Sequence, residues 1–386
     1  MTSTTPGTSP SSRDPWADPA QPDDGRSRAA AASRPVPGFV QADWSSRGEM
    51  RRDLARAQDD RRTGFEPVTG ALSRRVGARP ALSVVARAAR SAGNLFRHDP
   101  TAERLQSAAR GVQAPVTTGR RLAVVSLRGG AGRTTVSALL ARTFASLRPE
   151  PVAALDLDPG VGALALRLSD ISTASRPVPS VDQLSAGLTG LTHANLEAVS
   201  ALMGQAPDEL FHTGPRTTGH PLGRAGVTTA LATLSRFFPV TVVDCPTGPE
   251  HPDTAQVLTQ AHAAVFVVPS TAVGVDEAAG YLRHWQQDPF LSAIPVAAVV
   301  TATDRGADLD PLAQAAALTR VGVMAAALRY DRHVAGGVGI RLPLILPENR
   351  RAVAELASGL LAEANRQRGG TGAAQAAGRR REGAGQ

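Results

Sequence analysis

The chain has 386 residues, 42% hydrophobic and 20% charged, enough for a sizeable α/β core and too apolar to be disordered throughout. A single cysteine, Cys245, excludes a disulfide framework and a paired-cysteine zinc site and suits a reducing compartment. Residues 1–121 carry 20 Arg against 12 acids, residues 122–365 carry 17 Arg against 21 acids, and the last 21 residues add five Arg and one Glu. The net +8 therefore sits in the flanks, which argues against a basic nucleic-acid groove in the core.

All 42 basic residues are arginine. No apolar run reaches the roughly 18 residues of a membrane span, and Met1 to Gln21 holds no apolar export stretch. The expected location is the cytoplasm.

In chain order, residues 1–75 are rich in Ser, Thr, Pro, Arg and Asp without sustained periodicity and are expected to form a disordered arm. Trp16, Phe39 and Trp44 are isolated aromatics within it. Residues 76–114 read as a linker. Within it, 79–97 places Leu82, Val85, Ala86, Ala89, Gly93 and Phe96 on one helical stripe flanked by Arg79, Arg87, Arg90 and Arg97. Such a basic amphipathic helix packs on its own domain or a partner, or rests on an anionic membrane at the inner face of the plasma membrane.

From residue 122 short apolar runs alternate with helical stretches. The runs are LAVVSL (122–127), VAALD (152–156), VTVVD (240–244), AAVFVV (263–268), VAAVV (296–300) and VMAAAL (323–328). Helices are predicted at 134–147, 226–237, 273–287, 309–319 and 348–366. Continuous Val/Ala runs separated by helices indicate strands buried on both faces, hence an α/β domain at 115–366 with a mostly parallel sheet and helices on both sides. The remaining 367–386 is a Gly/Ala/Arg tail, also expected to be disordered. Gly336-Gly337-Val338-Gly339 lies between no clear strand and helix and reads as a turn. The eight histidines show no metal-ligand spacing.

Directly after the first predicted strand comes Arg128-Gly129-Gly130-Ala131-Gly132-Arg133-Thr134-Thr135, and then a helix. Strand, glycine loop and helix N-terminus make a phosphate cradle, because small residues let backbone N–H groups turn inward and the helix dipole adds positive potential. Asp156 ends the second strand with Asp158 just after it, and Asp244 ends the VTVVD strand. Strand C-termini of a parallel sheet converge where ligands bind, so these acids should face the loop. Thr134 would offer its hydroxyl to Mg²⁺, Asp244 would order the metal's waters from behind, and Asp158 would position an attacking water.

These residues resemble the ParA/MinD family of deviant Walker A P-loop ATPases, whose loop reads KGGxGKT[ST]. The resemblance spans about 105–365. More specifically the chain is similar to the MinD-like ATPases associated with type VII (ESX) secretion, the EspI-like group. Their long Pro-rich N-terminal extension and late "YD-x-H-L-A-x-G" segment are echoed by Tyr330-Asp331-Arg332-His333-Val334-Ala335-Gly336. The resemblance implies an ATP- and Mg²⁺-dependent homodimeric switch that docks a secretion or division component, with Gly129, Gly130, Ala131, Gly132, Arg133, Thr134 and Thr135 holding the nucleotide. It also implies that Arg128 reaches the partner's phosphates as an arginine finger in trans. Other family members segregate chromosomes on nonspecific DNA.

Two departures bear on activity. Both family lysines of the loop are arginine here, Arg128 and Arg133, and a planar guanidinium does not replace a compact ammonium conservatively. Thr301 stands where the family often has an adenine-reading Asn, and Arg329 where it often has Pro. A non-hydrolysing scaffold of the same fold is therefore the alternative.

Overall fold

In the computed structural model of the chain, the described residues are 100–159, 162–169, 178–216, 220–305 and 309–367. The arm 1–75, the amphipathic helix at 79–97 and the tail from 368 lie outside them. The described part begins with helix α1 (Pro100–Val112), strand β1 (Arg120–Val125), helix α2 (Arg133–Leu147), β2 (Val152–Asp156), α3 (Leu164–Leu168), α4 (Val181–Thr189) and α5 (Leu196–Ser200). A short hairpin follows, β3 (Gly204–Ala206) and β4 (Leu210–His212), then α6 (Gly223–Leu234), β5 (Val240–Asp244), α7 (Pro252–Leu258), β6 (Ala263–Pro269) and α8 (Ala272–Gln287). β7 (Val296–Thr301), α9 (Pro311–Thr319), β8 (Met324–Leu328), α10 (Arg332–Ala335) and α11 (Pro347–Arg366) complete it.

The eight strands form one sheet in the order β3-β4-β2-β5-β1-β6-β7-β8, parallel except for edge strand β3, which runs antiparallel to β4. The six predicted strands are the six from β2 to β8 in this order. Their Val/Ala runs alternate between two apolar layers, as the two-residue period of a strand requires. Leu122, Val124, Ala154 and Val242 pack toward α2 and α11, whereas Ala123, Val125, Ala153 and Val243 pack toward α4, α6, α7 and α8. The strands β3 and β4 carry no pattern of their own. They were not foreseen because three residues are too few to show a period.

Along the sheet, β1 lies between β5 and β6, and β2 lies on the far side of β5. The register pairs Val124 with Asp244 and Asp156 with Asp244. The ends of β1, β2 and β5 therefore stop level with one another. The loop leaving β1 emerges at this edge, where the chain crosses over in opposite directions and a crevice opens.

Candidate functional site

The loop from Ser126 to Gly132 turns from β1 into α2 through two left-handed glycines, Gly130 (φ 77°) and Gly132 (φ 86°). A Cβ at Gly129 or Gly130 would meet nothing within 4 Å, so the loop faces open space there. Gly132 stands at the N-cap of α2 without a side-chain cap, and no acid lies in the first turn. The orphan N–H groups and dipole of that helix are thus left for a ligand. Among the described residues, no backbone carbonyl accepts from the N–H groups of Gly129, Gly130, Ala131 or Gly132. On the other side the loop is fastened, because the Thr301 hydroxyl at the end of β7 donates to Ala131 O at 2.6 Å. Thr301 therefore anchors the loop here.

Arg133, the first residue of α2, is buried, at 7% exposure. Its guanidinium donates to Asp158 Oδ2 at 2.6 Å, Thr247 Oγ1 at 2.8 Å and Ser126 Oγ at 3.1 Å. Its Nε lies 3.4 Å from Asp244 Oδ1. Asp244 has no exposed surface and also accepts from Ser137 Oγ at 3.0 Å. One guanidinium therefore joins the ends of β1, β2 and β5. Arg128 points the other way, pairing through the Nε and Nη2 edge of its guanidinium with both oxygens of Glu277 of α8, including Nε to Oε2 at 2.7 Å.

The carboxylates are electrostatically stressed. Burial, then the neighbouring Asp244 charge, push Asp156 up to about 7, although its oxygens accept from the N–H groups of Asp158 and Leu164. Burial also raises Asp244, against the opposing pull of Arg133 and the Thr134 and Ser137 hydroxyls. Cys245 is fully buried and its thiol is pushed up by burial, which makes it a packing residue and no nucleophile.

The loop forms one wall of a cavity of about 430 Å³ that also takes in Thr134, Thr135, Asp158 and Thr247. Its far wall comes from Arg329, Tyr330, Asp331 and Asn349, with Ile345 between them. Asp331 ties this wall together, accepting from the N–H groups of His333, Val334 and Leu346. Asn349 closes it by bonding the N–H of Arg329 at 2.8 Å and its carbonyl at 2.9 Å. Sequence reasoning brought together the loop, Asp158 and Asp244. It did not single out Ser126, Ser137, Thr247 or Asn349; the signal available for Ser137 was its place one turn after Arg133 on the same helix face.

A nucleotide fits these residues: unpaired loop donors, an uncapped helix and a cavity of suitable size face one another. Mg²⁺ fits them poorly. Two buried polar atoms here lack a hydrogen bond, Arg133 Nε and Asp244 Oδ2. Arg133 Nε faces Asp244 Oδ1 at 3.4 Å, while Asp244 Oδ2 stands without a partner and has no surface open to solvent. Arg133 already holds Asp158 and lies beside Asp244, its single charge shared between them, and Asp244, with no exposed surface, offers a hydrated ion no direct access.

A glycine loop running from a central parallel strand into an uncapped helix, with acids on the adjoining strand ends, defines the P-loop class of α/β proteins. The fold is that of the ParA/MinD group: the ParA family ATPase from Chlorobium tepidum TLS matches with a TM-score of 0.50 at 14% identity, over 62% of this chain and 97% of that one. The septum site-determining protein MinD complexed with Mg-ADP, from Pyrococcus horikoshii OT3, has a TM-score of 0.47 at 17% identity, over 62% and 94% of the two chains. In sequence, the chain is 30% identical over 246 residues to the ESX-1 secretion-associated protein EspI of Mycobacterium tuberculosis, in strains CDC 1551 and H37Rv. That match takes in 62% of this chain and 36% of EspI, so the chain spans about a third of the length of these curated relatives. No protein-family model matches the chain.

Proposed function

We propose that this protein binds ATP in the loop cavity and acts as a nucleotide-dependent dimeric switch for an ESX-type secretion system. The observation that carries the reading is a loop whose N–H groups from Gly129 to Gly132 have no backbone acceptor among the described residues, with Gly129, Gly130, Gly132 and the uncapped start of α2 lining a cavity of about 430 Å³. The likeness to EspI supports the ESX connection.

In this reading the N–H groups of Gly129, Gly130, Ala131 and Gly132 hold phosphate oxygens, and the start of α2 adds the Thr134 and Thr135 donors. Arg133 lends positive charge from beneath the loop. Asp158, 30% exposed and held by Arg133, lies in the cavity lining, where it would orient a water. ATP, when bound, supplies the triphosphate whose cleavage would reset the switch. Arg128 lies on the exposed rim and is free to exchange Glu277 for a phosphate of a second copy. A metal role for Thr134 and Asp244 is left out of this reading because the acids are already engaged by Arg133.

A non-hydrolysing scaffold is favoured by one observation, the engagement of both loop arginines by acids of their own chain. Fluorescent-ATP titration of the full chain with light scattering in parallel separates the two. Saturable micromolar binding and a doubling of mass with ATP are expected of the switch. A monomer at every ATP concentration retires it in favour of the scaffold.

A further inference from the structure

We propose that Arg133 takes the place of a divalent cation, so that this loop binds ATP without Mg²⁺. The inference rests on the nucleotide-binding reading above and adds to it the ionic form of the ligand.

The argument starts from what one guanidinium touches. Arg133 reaches Asp158 at 2.6 Å, Thr247 at 2.8 Å, Ser126 at 3.1 Å and Asp244 at 3.4 Å. A cation that served these acids would have to bridge the ends of β2 and β5, and Arg133 already lies between them, donating to Asp158 and Thr247 and standing as a charge 3.4 Å from Asp244. An ammonium, being one compact charge, would not span both carboxylates and the two hydroxyls together. Mg²⁺ also demands near-octahedral oxygen ligands and usually keeps several waters. Asp244 offers it no surface: the residue is 0% exposed, Oδ1 accepts from Ser137 at 3.0 Å, and Oδ2 is enclosed. A hydrated ion could reach Asp244 only by expelling the guanidinium, which would leave a buried arginine without its acids, a costly exchange. One positive charge beside these carboxylates, where a polyphosphate would approach, is thus part of the chain.

The test is fluorescent-ATP binding to the full chain in buffer with Mg²⁺ and in buffer with EDTA, read by anisotropy. Curves that coincide within about twofold are expected, against the tenfold or larger gap, roughly 1.4 kcal/mol or more, of a cation-dependent site. Binding that needs Mg²⁺ overturns the inference and leaves the nucleotide reading standing; no binding in either buffer overturns both. Arg133→Lys, checked for folding by circular dichroism, should acquire a Mg²⁺ dependence of about tenfold, since its ammonium releases one acid. An Arg133→Lys protein that binds equally in both buffers removes the assignment to Arg133. If that variant does not fold, Asp244→Asn serves instead: its two curves should still coincide, and a loss confined to the Mg²⁺ buffer counts against the inference.

Discussion

Asp156 is buried at the end of β2, behind the loop, and its pKa is raised from 3.8 to about 7 by burial and by Asp244. An acid whose folded pKa is raised binds its proton more tightly in the native state. The stability it contributes is full below pH 3.8 and is lost as the pH climbs through about 7. Asp156→Asn should therefore flatten the decline of the urea midpoint between pH 4 and pH 8, and an unchanged slope would place the titration elsewhere. His262 acts with the opposite sign. Burial, with the nearby Arg121 and Arg120 charges, lowers its pKa from 6.5 to about 3, and its Nδ1 accepts from the N–H of Arg121. Its stabilisation is present above pH 6.5 and fades as the pH falls toward 3, so the native minus Asp156→Asn difference, and not the native curve alone, isolates Asp156.

At the scale of elements, the join between β1 and α2 depends on Gly132. Its φ of 86° is open to glycine and costly for other residues, and an added Cβ would meet Thr301 at 3.5 Å. Gly132→Ala should cost about 1–2 kcal/mol in denaturant unfolding and weaken ATP binding more than stability, because a loop that shifts to relieve φ re-aims its N–H groups. A second joint lies across the sheet. Arg216, 3% exposed, pairs with Asp182 of α4 at 2.9 Å and with the fully buried Asp253 of α7 at 3.1 Å, and also donates to the carbonyl of Leu157. Asp253 in turn accepts from the N–H groups of Leu222 and Gly223 at the start of α6. Arg216→Ala strands Asp253 and should cost about 3–5 kcal/mol, measured by chemical denaturation, since removing one member of a buried pair leaves an uncompensated charge.

For the whole molecule, the exposed pair of Arg128 and Glu277 links the loop to α8 at the mouth of the crevice. Surface pairs contribute little to stability, so Glu277→Gln should leave the melting temperature unchanged. It should also favour the ATP-driven dimer of the proposed switch, seen as mass doubling at a lower protein concentration, because Arg128 no longer has an acid of its own chain to hold it. Among the described residues no helix is long and apolar enough to cross a membrane.

Much of this architecture was legible along the chain. The Val/Ala runs at 122–127, 152–156, 240–244, 263–268 and 296–300 are inner parallel strands, recognisable because burial on both faces removes the polar alternation, whereas the run at 323–328 is the parallel edge strand β8, exposed at Met324. The helix predicted over 134–147 runs from Arg133 to Leu147, and that over 348–366 from Pro347 to Arg366. The glycine loop, Asp158 and Asp244 declared themselves by following strands. The short elements α3, α5, β3 and β4 did not, as each is five residues or fewer and takes its shape from what it packs against.

By itself, then, the sequence determined the parallel α/β sheet, the place of the loop and the acids at its mouth, because each depends on local periodicity or on adjacency to a strand end. Only the tertiary structure decided what Arg133 and Arg128 do. Arg133 meets Asp158, Thr247 and Asp244, and Arg128 meets Glu277, across separations of 25 to 149 residues. The far wall from Arg329 to Asn349 was likewise set by packing. Which acid neutralises a guanidinium depends on which strand ends stop level with it, and no spacing along the chain encodes that.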